Sequence, residues 1–260
     1  MAKNEKTILL QKRNHIAYIT FNRPKKLNAM RWIEYNLLDD YVNDCDKDDN
    51  VRAIIFTGKG RAFSAADDME MWSQGEIEGL ELAYPSGLNT THRTNLTLMQ
   101  SGKVSIAAVN GLCWLVGLVF SCDFVIAADV ATFTDGDLRG GICPGSTETV
   151  SLTRLLGRRR ALEMILTSKT ISAKEAFRIG LANKVVPLSK LMPEAEAIAK
   201  QVIAFPADAI RMAKLSILKA QDLPLKEAVE TESFYCQLSQ VKKPATKFGK
   251  AFLDRRVSLH

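Results

Sequence analysis

The chain has 260 residues, 47% of them hydrophobic and 25% charged, with a formal net charge of +6 at pH 7. That is the composition of an ordinary soluble globular protein with length for one large core and an appendage. Five cysteines (Cys45, Cys113, Cys122, Cys143, Cys236) lie far apart with no Cys-x-x-Cys pair, and His15, His92 and His260 show no ligand spacing. A disulfide framework and a metal site are both disfavoured; buried, reduced thiols are the expectation. The residues from Met1 to Lys6 hold no apolar signal-peptide core, so the expected location is cytoplasmic.

Residues 8–10 and 16–21 read as two strands joined by a polar Lys12-Arg13-Asn14 turn. Asn28 is the cap expected for a helix over 29–46. Residues 51–57 form a strand that Gly58-Lys59-Gly60 turns. Over 74–88 apolar periodicity fades and Gly75, Gly79, Pro85 and Gly87 punctuate the chain, the composition of a mobile loop over a pocket. Residues 89–100 are helical. From Val104 through Cys122 no residue is charged, a run nearly long enough to cross a bilayer. Asn110-Gly111 interrupts it, and Phe124-Val125-Ile126 resumes a strand pattern after Asp123. A strand, a turn, a short buried helix and another strand fit better than a membrane span.

Strand–strand–helix units repeat to about Val186. After Pro187 the pattern is helical: 188–203, 207–219, 225–238 and 245–253, with Pro193, Pro206, Pro224 and Pro244 at or near the boundaries. The expected division is a core over 1–187 and a helical region over 188–260 that packs on a neighbour. The densest basic cluster is Arg154, Arg158, Arg159 and Arg160. It reads as a solvated helix junction or a dock for nucleotide-like phosphates; the lack of interleaved aromatic residues argues against nucleic acid.

The pattern Ile106-Ala107-Ala108-Val109-Asn110-Gly111, followed by Cys122-Asp123 and Ala127-Ala128, resembles the crotonase (enoyl-CoA hydratase/isomerase) superfamily. Further pieces follow in family order: Asn22-Arg23-Pro24 with Leu27-Asn28-Ala29-Met30, Arg61-Ala62-Phe63-Ser64-Ala65, Pro144-Gly145, Leu152-Thr153-Arg154-Leu155-Leu156-Gly157, Gly180-Leu181 and Ala251-Phe252. The resemblance implies an α/β fold, a crotonase-like right-handed ββα spiral. Its C-terminal helical region builds homotrimers or dimers of trimers.

It also implies thioester-enolate chemistry on an acyl-CoA, with coenzyme A arriving as part of the substrate and no tightly bound cofactor or metal. Two backbone N–H groups hold the enolate oxygen. By motif these belong to Asp67 and Val116. The family usually has glycine where Ala66, Leu115 and Val116 stand, so Leu115 and Val116 either crowd the acyl pocket or pack in the core. Of two family glutamates, the first matches Val119, which cannot transfer a proton, and the second matches Asp137. Asp135 can share that task or keep Asp137 protonated, unless Asp135-Gly136-Asp137 is a plain Asx turn. Glu148, at an expected helix start, is a third candidate acid. Lys25, Lys26, Leu27, Ala65 and Asp68 match contacts to CoA; Phe252 and Arg255 match a C-terminal pair reaching a neighbour's nucleotide. Losing the first acid favours isomerase or other one-base chemistry over hydration. Residues 131–136 also resemble a branch that cleaves β-diketones without CoA, and a non-catalytic or RNA-binding protein is the third alternative.

Overall fold

The computed structural model describes residues 6–73 and 88–241. Phe252, Arg255, the helix expected at 245–253 and nearly all of the expected 74–88 loop lie outside them.

Two strands open the chain, β1 (Ile8–Arg13) and β2 (Ile16–Phe21). Their turn is Asn14-His15 and not Lys12-Arg13-Asn14, because Lys12 and Arg13 complete the ladder opposite Ala17 and Ile16. Both turn residues have positive φ (50° and 64°), the two-residue geometry that matches strand twist. Helix α1 (Trp32–Lys47) begins later than residue 29, and Arg31 rather than Asn28 occupies its cap. Glu34 folds back onto the Arg31 N–H at 2.9 Å. Asn28 is buried with φ 58° and ties loops together: its side chain accepts the Arg23 N–H (2.9 Å) and donates to the Ala62 carbonyl (2.8 Å).

Three strand–strand–helix turns follow. The first is β3 (Ala53–Gly58), β4 (Ala62–Ser64) and the helices α2 (Met69–Ser73) and α3 (Thr90–Gln100). The second is β5 (Val104–Val109), β6 (Leu112–Cys113) and α4 (Val116–Ser121). The third is β7 (Phe124–Ala128), β8 (Thr132–Phe133), α5 (Glu148–Leu156) and α6 (Arg158–Leu166). Strand β9 (Ile171–Ser172), α7 (Ala173–Arg178), β10 (Lys184–Val186) and the helices α8 (Leu191–Ile203), α9 (Ala207–Ala220) and α10 (Leu225–Val241) complete the described chain.

The first strands of each turn stack in a six-stranded sheet, β1-β2-β3-β5-β7-β10, parallel except for β1. The second strands form a smaller sheet, β4-β6-β8-β9. All of β5 is buried, which is why its sequence is an unbroken apolar run rather than an alternating one. Its side chains still divide by face. Ala107 and Val109 join the core beneath the small sheet, whereas Ile106 and Ala108 pack with Leu191, Ala195 and Ala199 of α8. Helix α8 therefore belongs to the core, although it lies beyond residue 187. Helices α9 and α10 bury none of their described side chains; Lys214 ties α9 down by donating to Asp123 (2.9 Å) and the Leu98 carbonyl (2.7 Å).

Asn110 clamps the β3–β4 corner as Asn28 does, accepting the Gly58 N–H (3.0 Å) and donating to the Gly60 and Ala62 carbonyls (2.9 and 3.1 Å). Gly111 is required next to it, since a β-carbon would fall 2.0 Å from the Arg61 carbonyl oxygen. No helix among the described residues is long and apolar enough to cross a membrane, in agreement with the segmented reading of 104–128. Cys45 and Cys113 are buried and Cys122 half-buried, whereas Cys143 and Cys236 are exposed, contrary to a uniformly buried set.

Candidate active site

Strands β4, β6 and β8 run parallel, so the chain leaves all three at the same edge. The ladder continues past the strand ends through Trp114 N–H to the Ser64 carbonyl (2.8 Å) and Thr134 N–H to the Cys113 carbonyl (3.0 Å). Three segments thus emerge side by side: Ala65-Ala66-Asp67, Trp114-Leu115-Val116 and Thr134-Asp135-Gly136-Asp137.

Met30 fixes the first segment. Its N–H donates to the Ala66 carbonyl (2.7 Å) and its carbonyl accepts the Asp68 N–H (2.9 Å), a parallel bridge opposite Asp67. In such a bridge the central residue's own N–H faces away from its partner, so the Asp67 amide is directed away from Met30. Ala66 has φ 58°, which costs a residue with a β-carbon about 1 kcal/mol. Val116 is the first residue of α4, where an amide has no acceptor within the helix. Leu115 and Val116 are both buried in the main core. Leu115 and Leu118 also line a small cavity with Tyr35, Leu38, Thr94 and Asn95. Val119, the residue that the resemblance matches to the first glutamate, is wholly buried in that core.

The acids gather around the Asp67 segment and the start of α4. Asp137 follows β8, and burial, then the charges of Asp135 and Asp67, push its carboxyl up to about 6. The Asx turn exists as well: Asp135 accepts the Asp137 N–H at 3.1 Å. Asp135 is itself raised by burial, and its other carboxylate oxygen is buried without a hydrogen-bond partner among the described residues. Glu148 is the first residue of α5 and accepts the Ser146 N–H at 2.7 Å. It packs on the start of α4 so closely that a β-carbon on Gly117 would lie 2.6 Å from its Oε1. Burial, then the charges of Asp137 and Asp135, push Glu148 up to about 7. Asn95 holds the approach to α5 by donating to the Ser146 carbonyl (2.7 Å) and to Thr147 Oγ1 (3.2 Å).

Of the residues matched to CoA binding, the five that are described lie close together. Ala65 N–H donates to the Leu27 carbonyl (2.9 Å), which places residues 25–27 beside 65–68. Lys25 and Lys26 are exposed, and Lys26 pairs with Glu70. Asp68 is buried against Arg23 at 2.9 Å, which holds its carboxyl below the usual range despite burial. Its carboxylate is therefore committed to holding the loop. His92 is held neutral-leaning by burial alone. Arg154 pairs with Asp222 (2.9 Å) at an exposed junction of α5 and α6, on the solvated reading of that cluster.

One residue escaped the sequence reading. Tyr35 lies on the buried face of α1 and donates its hydroxyl to Asp67 Oδ1 at 2.6 Å. On an amphipathic helix nothing distinguishes it from an ordinary core aromatic.

The description enoyl-CoA hydratase/isomerase matches residues 11–258 as a family model. The chain belongs to that family. It is 35% identical over 256 residues to a short-chain-enoyl-CoA hydratase of Clostridium acetobutylicum, covering 96% of this chain and 95% of the relative. It is 32% identical over 252 residues to a crotonyl-CoA hydratase of Syntrophomonas wolfei, covering 96% and 95%. The structure of enoyl-CoA hydratase subunit I from Geobacillus kaustophilus superposes with a TM-score of 0.87 at 30% identity, covering 96% of both chains. The ββα spiral expected from the resemblance is thereby shown, and the protein is an enoyl-CoA hydratase/isomerase family enzyme.

The raised carboxyl of Glu148 gives stability a pH dependence. An ordinary glutamate titrates near 4.5 and this one near 7 when folded, so between those values the folded chain holds a proton that the unfolded chain has released. This contribution is full below about 4.5 and lost as pH rises through 7, on the order of 3 kcal/mol and shared with Asp137. Urea unfolding of the wild type is expected to show that fall between pH 5 and 8. Glu148→Gln, neutral throughout, flattens it by roughly 1–3 kcal/mol; equal slopes for both proteins contradict the assignment.

Proposed function

We propose that the protein catalyses reversible hydration or double-bond migration of a short enoyl-CoA thioester through an enolate. The observation that carries this reading is the shared exit edge of β4, β6 and β8, which collects Asp67, Val116 and Asp137 from three separate turns of the fold. In the proposed pose the thioester oxygen lies between the Asp67 and Val116 amides. Negative charge developing there is met by fixed donors that need not reorganise.

The proton work falls to Asp137 and Glu148. Their carboxyls titrate near 6 and 7, and the charge of Asp137 helps raise Glu148, so between those values the pair carries about one proton. One member then acts as acid while the other acts as base. In hydration, one carboxylate takes a proton from water as its oxygen bonds to the β-carbon, and the protonated partner delivers a proton to the α-carbon. Isomerisation needs only one of them, to remove a proton from the γ-carbon and return it at the α-carbon. Glu148 in this way supplies the second acid that Val119 does not. Short acyl groups are favoured because Leu115 and Leu118 fill the space behind the donors. Lys25, Lys26, Leu27 and Ala65 form the ledge for the CoA portion, with Phe252 and Arg255 of a neighbouring copy meeting the nucleotide.

The neighbour follows from α9 and α10, which expose Ile217, Leu225, Val229 and Phe234. The proposed occupant of that apolar surface is a second copy of the chain, within a trimer or a dimer of trimers. Light scattering is expected to give three or six times the 28.8 kDa chain mass; a stable monomer at micromolar concentration contradicts this.

Asp137→Asn is expected to lower kcat for crotonyl-CoA hydration or isomerisation by roughly 10²–10⁴, the usual worth of a positioned acid or base. KM should change little, because the oxygen donors are backbone groups of other segments. Full activity in this variant removes Asp137 from the mechanism.

A further inference from the structure

Deepening the enolate reading, we propose that Tyr35 is a positioning residue, whose hydroxyl pins the Asp67 side chain beside Asp137 so that the oxyanion amide and the acid–base group work as one unit.

The geometry supports this in three ways. Asp67 joins two roles in one residue: its N–H is the proposed first donor, and its carboxylate is the acceptor of the Tyr35 hydroxyl at 2.6 Å. Backbone bonds tether the segment along its Leu27–Met30 side, through the bridge of Met30 to Ala66 and Asp68 and the Ala65 N–H to the Leu27 carbonyl. Tyr35 reaches Asp67 from α1 and is itself packed: the residue is 5% exposed and its ring centroid lies 6.0 Å from that of Trp32. A buried phenol with an ionised acceptor makes a short, charge-assisted bond, which fixes the side chain more firmly than a neutral pair.

The second consequence is electrostatic. Among the described residues, Asp67 acts on Tyr35 of α1 and on Asp137 after β8, and Asp135 and Glu148 belong to the same cluster of acids. Along the chain, Asp68 is already neutralised by Arg23, and Arg31 at the start of α1 is engaged by Glu34 at 2.7 Å. A carboxylate fixed at Asp67 repels charge on Asp137 and so favours its acid form.

The test titrates the side-chain carboxyls of the free protein by ¹³C NMR, alongside the pH–rate profile with crotonyl-CoA. Tyr35→Phe fills the same space and removes only the hydroxyl. It is expected to move the Asp137 midpoint down by roughly 0.5–1 pH unit. The optimum of kcat should move in the acid direction, with KM altered less than about twofold. Asp67→Asn keeps the acceptor but removes the charge, and Asp67→Ala removes the acceptor; both should lower the midpoint similarly. Combining Tyr35→Phe with Asp67→Asn should give no more than the larger single effect. An unchanged Asp137 midpoint in folded Tyr35→Phe, or additive shifts in the double variant, overturns the proposal. Because the carboxyl titration needs no substrate, absence of turnover on acyl-CoAs counts against the enolate reading alone.

Discussion

The parallel pairing of β4, β6 and β8 is the constraint on which the rest of the structure depends. A coil of strand–strand–helix turns repeats its geometry, so each turn presents its second strand to the small sheet at the same height. The three loops that follow then share an edge whatever residues they hold. What must be exact is the corner between the two sheets, and there the chain uses buried side chains that satisfy several backbone groups at once. Asn28 and Asn110 both donate to the Ala62 carbonyl while holding different loops. Loss of either would leave buried backbone groups without partners, a cost of about 1–3 kcal/mol each, and would loosen the segment that carries Asp67.

The electrostatic character of the site opposes its own stability. Asp67, Asp135, Asp137 and Glu148 are crowded beneath one edge, and burial raises the carboxyls of the last three. Holding them there costs folding free energy above neutral pH, and the same cost places Asp137 and Glu148 in the range where proton transfer is most efficient. Ala66 in the left-handed region adds a smaller backbone cost at the same place. The outlying loop anchors work in the other direction: Arg23 with Asp68, and Lys214 with Asp123, are paired charges that fasten segments without entering the chemistry.

Much of the fold was legible because apolar runs change period where the elements change. The break at Asn110-Gly111 and the restart at Phe124 separated β5, α4 and β7 in the right order, whereas the two-residue β6 was not foreseen. Boundaries set by tertiary contacts were not legible. Asn28 has the chemistry of a helix cap, but the carbonyl of Ala62, distant in sequence, claims its side chain. Helix α8 follows a proline-marked change of character, yet its small residues Ala195 and Ala199 let it pack on the large sheet. For the site, motif order identified the segments that carry Asp67, Val116 and Asp137, since these follow strands whose order is fixed. The weight of Glu148 and the presence of Tyr35 depended on which helices cross near α4. A single sequence contains no period or spacing that reports such a crossing.

The central claim is that two backbone amides, of Asp67 and Val116, polarise a thioester carbonyl at the edge of the small sheet. The ¹³C resonance of a carbonyl-labelled butyryl-CoA bound to the protein reports that polarisation directly. Val116→Pro supplies the control, because the first position of a helix tolerates proline, which removes the N–H and puts its ring in place of the buried valine side chain. The account predicts a downfield displacement on binding to the wild type and a smaller one in Val116→Pro. A resonance that stays at its free value on binding, or a displacement indifferent to the proline, would contradict it.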